Sequence, residues 1–175
     1  MNNKETVNLC ARYFILVLLG AFNLGLFYIV FTPLTVYPVV WILGFVDSTT
    51  KLFEGDVIFF GGEWIEIVEA CVAGAAYYFL LILNLTTPMN IKKRAISIGF
   101  LFVSFLLVNI IRIVVFANLF VSGKNYFDAA HVLTWYFGST VLVVVLWFVN
   151  VLLFKIWSVP VYSDIKNLFE DALKK

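Results

Sequence analysis

Charge is what this chain has least of. Only 13% of its 175 residues are Asp, Glu, Lys or Arg, about half the share of a soluble domain. The net charge is +1, so no basic surface suggests a nucleic acid, and none is expected as a partner. Cysteine is nearly absent. Cys10 and Cys71 stand on opposite sides of the first apolar run, and no CxxC pair occurs. That excludes a disulfide framework or thiol relay as the reading of these residues. Neither a metal nor an organic cofactor is expected. No internal repeat or low-complexity linker divides the chain, so residues 1–175 read as one domain. A cleavable leader is not expected, because the first apolar run is long and no small-residue cleavage site follows it.

Apolar residues fill the space that charge leaves. They make up 63% of the chain, and the mean hydropathy is +1.00. That composition belongs in a bilayer. At about 20 residues per crossing, the length allows four to six spans. The runs themselves predict an all-α bundle of about four to five transmembrane helices.

The first span is RYFILVLLGAFNLGLFYIVF, residues 12–31. Residues 32–46 are apolar but carry Pro33 and Pro38. Proline inside a helix removes a hydrogen bond and clashes, which predicts an interfacial or re-entrant helix, with a full crossing as the alternative. Residues 47–67 are more polar, and VIFF and EWIEIV flank Gly61 and Gly62. Two β-prone runs around Gly-Gly predict a hairpin, standing just outside the membrane before Cys71. A second span covers 68–85, a third about 95–121, and the last 132–154. The tail at about 161–175 has one apolar face and predicts an amphipathic helix on the cytoplasmic surface.

Lys92, Lys93 and Arg94 crowd the loop between the second and third spans. Short loops rich in Lys and Arg stay in the cytoplasm. The span before that loop then starts outside, with Cys71, and the span after it ends outside, before His131. Arg112 lies in the outer half of the third span. Three reactive side chains thus converge near the outer face of a multi-pass protein of the cell membrane.

Their chemistry fits together. Arg112 sits in the apolar run LLVNIIRIVVFANLF. A charge at the centre of a span costs at least about 2.5 kcal/mol, so it faces a cavity or a partner. A structural pair with Glu69 is one reading. Asn109 lies three residues earlier on the same helical face, placed to orient the guanidinium. His131, the single histidine, can exchange protons near neutral pH; a capping role is the alternative. Asp128, three residues before it, is placed to hold one ring nitrogen. Cys71 alone reads as a packing residue. Beside a cation, its thiolate is favoured and the sulfur becomes nucleophilic. A cysteine, a histidine and a positive donor suffice for acyl transfer. A Glu69–Arg112 pair would weaken the field on the sulfur.

The order Cys71, Arg112, His131, carried by EACVAG, NIIR and AAH, resembles the exosortase/archaeosortase family. The likeness covers roughly residues 55–154, and its specificity lies in order, spacing and membrane placement. It implies a membrane-embedded cysteine transpeptidase that resembles sortases in catalytic residues but not in fold. By that resemblance Cys71 would be the nucleophile, Arg112 the electrostatic stabiliser and His131 the acid/base. Substrates would be secreted proteins ending in a short motif, a hydrophobic helix and a basic cluster. The acceptor would be a membrane lipid or another anchor. Some archaeal members carry Arg where this chain has His131, and many bacterial members have more spans.

The substrate's tail is expected between helices lined by Gly74, Ala75 and Ala76, with the 57–68 hairpin clamping the motif by strand addition. Two other readings compete. A purely hydrolytic intramembrane peptidase would use the same acyl-enzyme with water. A non-enzymatic scaffold or transporter subunit would leave Cys71 inert. A thiol oxidoreductase fits poorly, because Cys10 is expected on the wrong side of the membrane.

Overall fold

The computed structural model describes residues 3–21, 24–53, 55–123, 127–134 and 138–156. In chain order its elements are α1 (Asn3–Ala21), α2 (Gly25–Val46), β1 (Lys51–Leu52), β2 (Val57–Phe60), β3 (Glu63–Glu66), α3 (Glu69–Val72), α4 (Gly74–Leu85), α5 (Ile91–Val121), α6 (Phe127–Leu133) and α7 (Ser139–Leu153). The chain is mostly helical, but the small sheet means it is not all-α. The tail at 161–175 lies outside the described residues.

The first apolar run breaks at a different place from the one the prolines suggested. Leu24 adopts a left-handed conformation, φ 60°, and ends the expected first span. Pro33 and Pro38 instead lie inside α2, which is continuous for 22 residues. Each proline removes one backbone bond. The buried face of Phe31, Thr35, Val36, Val39 and Leu43 holds the helix through both.

Contacts fix the relative directions. Arg12 reaches the Leu85 carbonyl, the Tyr78 hydroxyl donates to the Leu16 carbonyl, and Phe31 stacks on Tyr77 at 3.6 Å. Hence α1 and α2 both advance along α4 from its C-terminal end towards its N-terminal end. Phe102 packs edge-on against Phe31 and Tyr77, and Leu80, Leu101 and Phe105 are fully buried beside them.

Two polar layers bracket this apolar middle. At the C-terminal end of α4, Asn84 donates to Ser97 Oγ at 2.7 Å, and Ser97 donates to Asn150 Oδ1 at 2.8 Å. Arg94 donates to the carbonyls of Asn84 and Thr87 at 2.6 and 2.9 Å. The arginine of the basic loop is therefore buried, capping the end of α4 where helix carbonyls lack partners. The second layer surrounds Cys71. Ser97 and Asn109, one in each layer, are 12 residues apart on α5, or about 18 Å of helix.

The expected hairpin is present, with a third strand added. β2 and β3 pair antiparallel from Val57↔Glu66 to Phe60↔Glu63, and β1 pairs with β2. Gly61 and Gly62 take φ +59° and +88°, the conformation a two-residue hairpin loop needs. Gly61 N–H donates to Asp47 Oδ2 at 3.0 Å, fastening the turn to the end of α2.

Two helices, Gly25–Val46 and Ile91–Val121, are long and apolar enough to cross a membrane. Three shorter apolar helical stretches accompany them: Val7–Ala21, Glu69–Leu85 (α3 with α4) and Ser139–Leu153. Large apolar side chains face outward while Asn84, Ser97, Asn109 and Asn150 are buried. That inverted distribution suits hydrocarbon surroundings, and with the two long helices it points to a membrane protein.

Candidate active site

The expected span at 68–85 is not one helix. Ala73 adopts φ 60°, ψ 45° and separates the single turn of α3 from α4. An L-residue there costs roughly 1–2 kcal/mol. The break has a chemical consequence. Ala76 N–H bonds to the Ala73 carbonyl, so the Val72 carbonyl loses its regular helical donor. Side chains from α5 occupy this released backbone. Asn109 Nδ2 donates to the Cys71 carbonyl at 2.9 Å and to the Val72 carbonyl at 3.4 Å. Arg112 Nη2 also donates to the Cys71 carbonyl, at 3.1 Å.

Asn109 therefore does not orient the guanidinium directly. It and Arg112 grip the same carbonyl, one helical turn apart on α5. The guanidinium is fixed at its other end by Ser139, whose hydroxyl accepts from Arg112 Nη1 at 2.6 Å. A guanidinium carries five N–H donors. Two are engaged among the described residues.

Glu69 does not pair with Arg112. Its side chain is exposed and lines a separate cleft of about 400 Å³ with Tyr28, Ala75, Ala76, Phe79 and Ser139. Ala75 and Ala76 thus border an open cleft. Gly74 does not: a side chain there would meet the Tyr28 ring at 2.8 Å, so Gly74 serves the close approach of α2.

Residues 135–137, between His131 and the start of α7, lie outside the described residues. His131 lies on α6, ahead of α7. Its ring stacks on Phe127 at 5.6 Å and meets Phe116 edge-on at 5.4 Å. Asp128 lies on the same helix, and its side chain is outside the described set. Cys10 and Cys71 are both free thiols.

Cys71, Arg112 and His131 line one cavity of about 390 Å³. Its other walls are Trp64, Ile65, Glu66 and Ile67 from the hairpin side, Phe116 and Phe120 from α5, and Phe127 from α6. The lining is largely apolar, so a charge inside it is poorly screened. Among the described residues, no group of three or more His, Cys, Asp or Glu side chains could hold a metal ion. The cavity thus brings a thiol, a guanidinium held at two points and an imidazole to one lining.

Two features of the site were not anticipated. Ser139 had only one sequence signal, a hydroxyl at the head of the run STVLVVVLWFV. The left-handed turn at Ala73 had none beyond the glycine that follows it. No family model, curated protein or solved structure matches this chain.

Proposed function

We propose that the protein is a membrane cysteine transpeptidase of the exosortase/archaeosortase kind, built as a bundle of four to five spans with its site facing outside the cell membrane. The reading is supported by one observation above all: Cys71, Arg112 and His131 border a single cavity although they come from three separate helices.

The chemistry follows from their properties. The Cys71 thiolate attacks a substrate peptide carbonyl, and a C–S bond forms as the carbonyl oxygen gains charge. Free N–H groups of Arg112 stabilise that oxyanion. Anchoring by Ser139 and the Cys71 carbonyl fixes the guanidinium beforehand, which is where such stabilisation gains its strength. The C–N bond then breaks, and His131 protonates the leaving amine. The acceptor's amine or hydroxyl attacks the thioester, His131 takes its proton, and the C–S bond breaks to restore the thiolate. The substrate's apolar tail lies in the bilayer, and its scissile peptide reaches the cavity from the hairpin side. A lipid is the favoured acceptor; water in that role gives hydrolysis by the same steps.

The test replaces Cys71 with Ala in the native host. Secreted proteins that end in an apolar helix and a basic cluster then keep that helix, and intact-mass analysis finds them heavier. In the wild type the new C-terminus carries an adduct for transfer, or a free carboxylate for hydrolysis. Identical C-termini in the two strains would reject the enzyme reading and favour a scaffold.

A further inference from the structure

β3 is the last strand of its sheet, paired only with β2. Which of its backbone groups face outward follows from the register. The loop Gly61-Gly62 has two residues, so Phe60 and Glu63 form the hydrogen-bonded pair beside the turn. Bonded pairs alternate along an antiparallel ladder. Ile58 with Ile65 is the next, and then Asp56 with Ile67, where Ile67 N–H donates to the Asp56 carbonyl at 2.9 Å. The N–H and C=O of Trp64 and Glu66 therefore point away from β2. Among the described residues neither has a further partner.

This open edge leads to the thiol. Trp64 and Glu66 both line the Cys71 cavity. Two residues beyond Glu66, the Val68 carbonyl accepts from Cys71 N–H at 2.8 Å. The strand runs straight into the turn that carries the cysteine.

We propose that the β3 edge holds an extended peptide as a fourth strand, and that Glu66 selects a basic side chain opposite itself. The proposal rests on the peptide-processing reading of the cavity. An extended polypeptide is the occupant because its N–H and C=O groups recur at the two-residue spacing of Trp64 and Glu66. Charge supplies the selection. The side chains of Glu63 and Glu66 are exposed and form no ion pair among the described residues. A side chain directly across an edge pair shares the face of its partner, and opposite charges there attract while like charges repel. Trp64 shares that face with Glu66, and its ring packs on Phe53 and Phe59 at 4.7 and 5.0 Å. The peptide residue across from Trp64 thus meets an aromatic surface. The recognised pattern is an apolar or aromatic residue and a basic residue, two positions apart.

The experiment uses the full-length Cys71→Ala protein in lipid nanodiscs, which cannot form an acyl-enzyme. A random library of end-capped decapeptides displayed on mRNA is selected against it, with empty nanodiscs as the counter-selection. The expected winners carry a basic residue two positions from an aromatic or aliphatic one. Glu66→Lys shifts the winners to acidic residues at the same place. N-methylation of a winner weakens binding about tenfold at alternate amides and little at those between, the signature of strand pairing that needs no protein variant. Three results would each overturn the proposal: no enrichment above empty nanodiscs, winners unchanged by Glu66→Lys, or N-methyl sensitivity without alternation. Wild-type protein is then given a winning peptide and examined for a thioester adduct. Binding without any adduct leaves the strand edge standing and removes the nucleophile reading alone.

Discussion

Arg112 holds Cys71 by its main chain. Nη2 donates to the Cys71 carbonyl oxygen at 3.1 Å while Nη1 donates to Ser139 Oγ at 2.6 Å. One planar group thus spans α3 and the head of α7 from its place on α5. The arrangement positions the thiol and the cation together, and each depends on the other's placement.

Removing the guanidinium should therefore cost more than a charge. Arg112→Ala is expected to lower processing about 10²–10³-fold, the loss usual for an oxyanion donor. Arg112→Lys keeps the charge but cannot serve both partners with one compact ammonium, and should fall between wild type and Ala. Ser139→Ala removes one hydrogen bond and should cost less than about tenfold. Processing rates for the three variants check that order; a Ser139→Ala loss equal to that of Arg112→Ala would contradict it.

Asn109 is 1% exposed and binds the carbonyls freed near Ala73. Asn109→Ala leaves those oxygens short of a donor in an apolar setting. The expected destabilisation is about 1–3 kcal/mol, read from unfolding in detergent with Arg112 intact.

Ala73 carries a backbone conformation that glycine adopts without penalty. Ala73→Gly should raise stability by about 1 kcal/mol with the turn at Cys71 unchanged. Ala73→Val should lower both stability and processing. Thermal unfolding of the pair provides the comparison, and a less stable Gly variant would mean the turn is not held as described.

Asp47 couples the hairpin to pH. Its carboxylate accepts from Thr49 N–H at 2.9 Å, from Thr49 Oγ1 at 2.8 Å and from Gly61 N–H at 3.0 Å. These bonds to the Thr49 and Gly61 groups hold its pKa below the ordinary carboxylate range. The folded value is thus lower than the unfolded one. The contribution is complete above the unfolded value, near pH 4, and fades as pH falls through the folded value. Hydrogen exchange at the Gly61 amide should rise, relative to its unprotected rate, only in that acid range. Asp47→Asn should remove the transition.

Much of this architecture is legible in the residues. The Gly61-Gly62 turn was readable because positive φ restricts the choice of residue. Arg112 announced a cavity or partner because a charge among Ile and Val side chains demands one. The break at Leu24 and the left-handed Ala73 were not readable. Both are non-glycine residues held against local preference by packing around them, which no local pattern encodes. The prolines misled for a related reason: the buried face on either side of them holds α2 continuous, and that packing is not visible in a local run. Ser139 was missed because its role exists only once α5 and α7 lie side by side.

The most direct test needs no substrate. Intact cells are treated with a membrane-impermeant maleimide, using wild type, Cys10→Ala, Arg112→Ala and His131→Ala. If Cys71 is the outward-facing nucleophile set up by Arg112, it labels from outside in the Cys10→Ala protein, and Arg112→Ala slows that labelling at constant pH. Labelling of Cys71 only after the cells are opened, or at a rate indifferent to Arg112, would contradict the central claim.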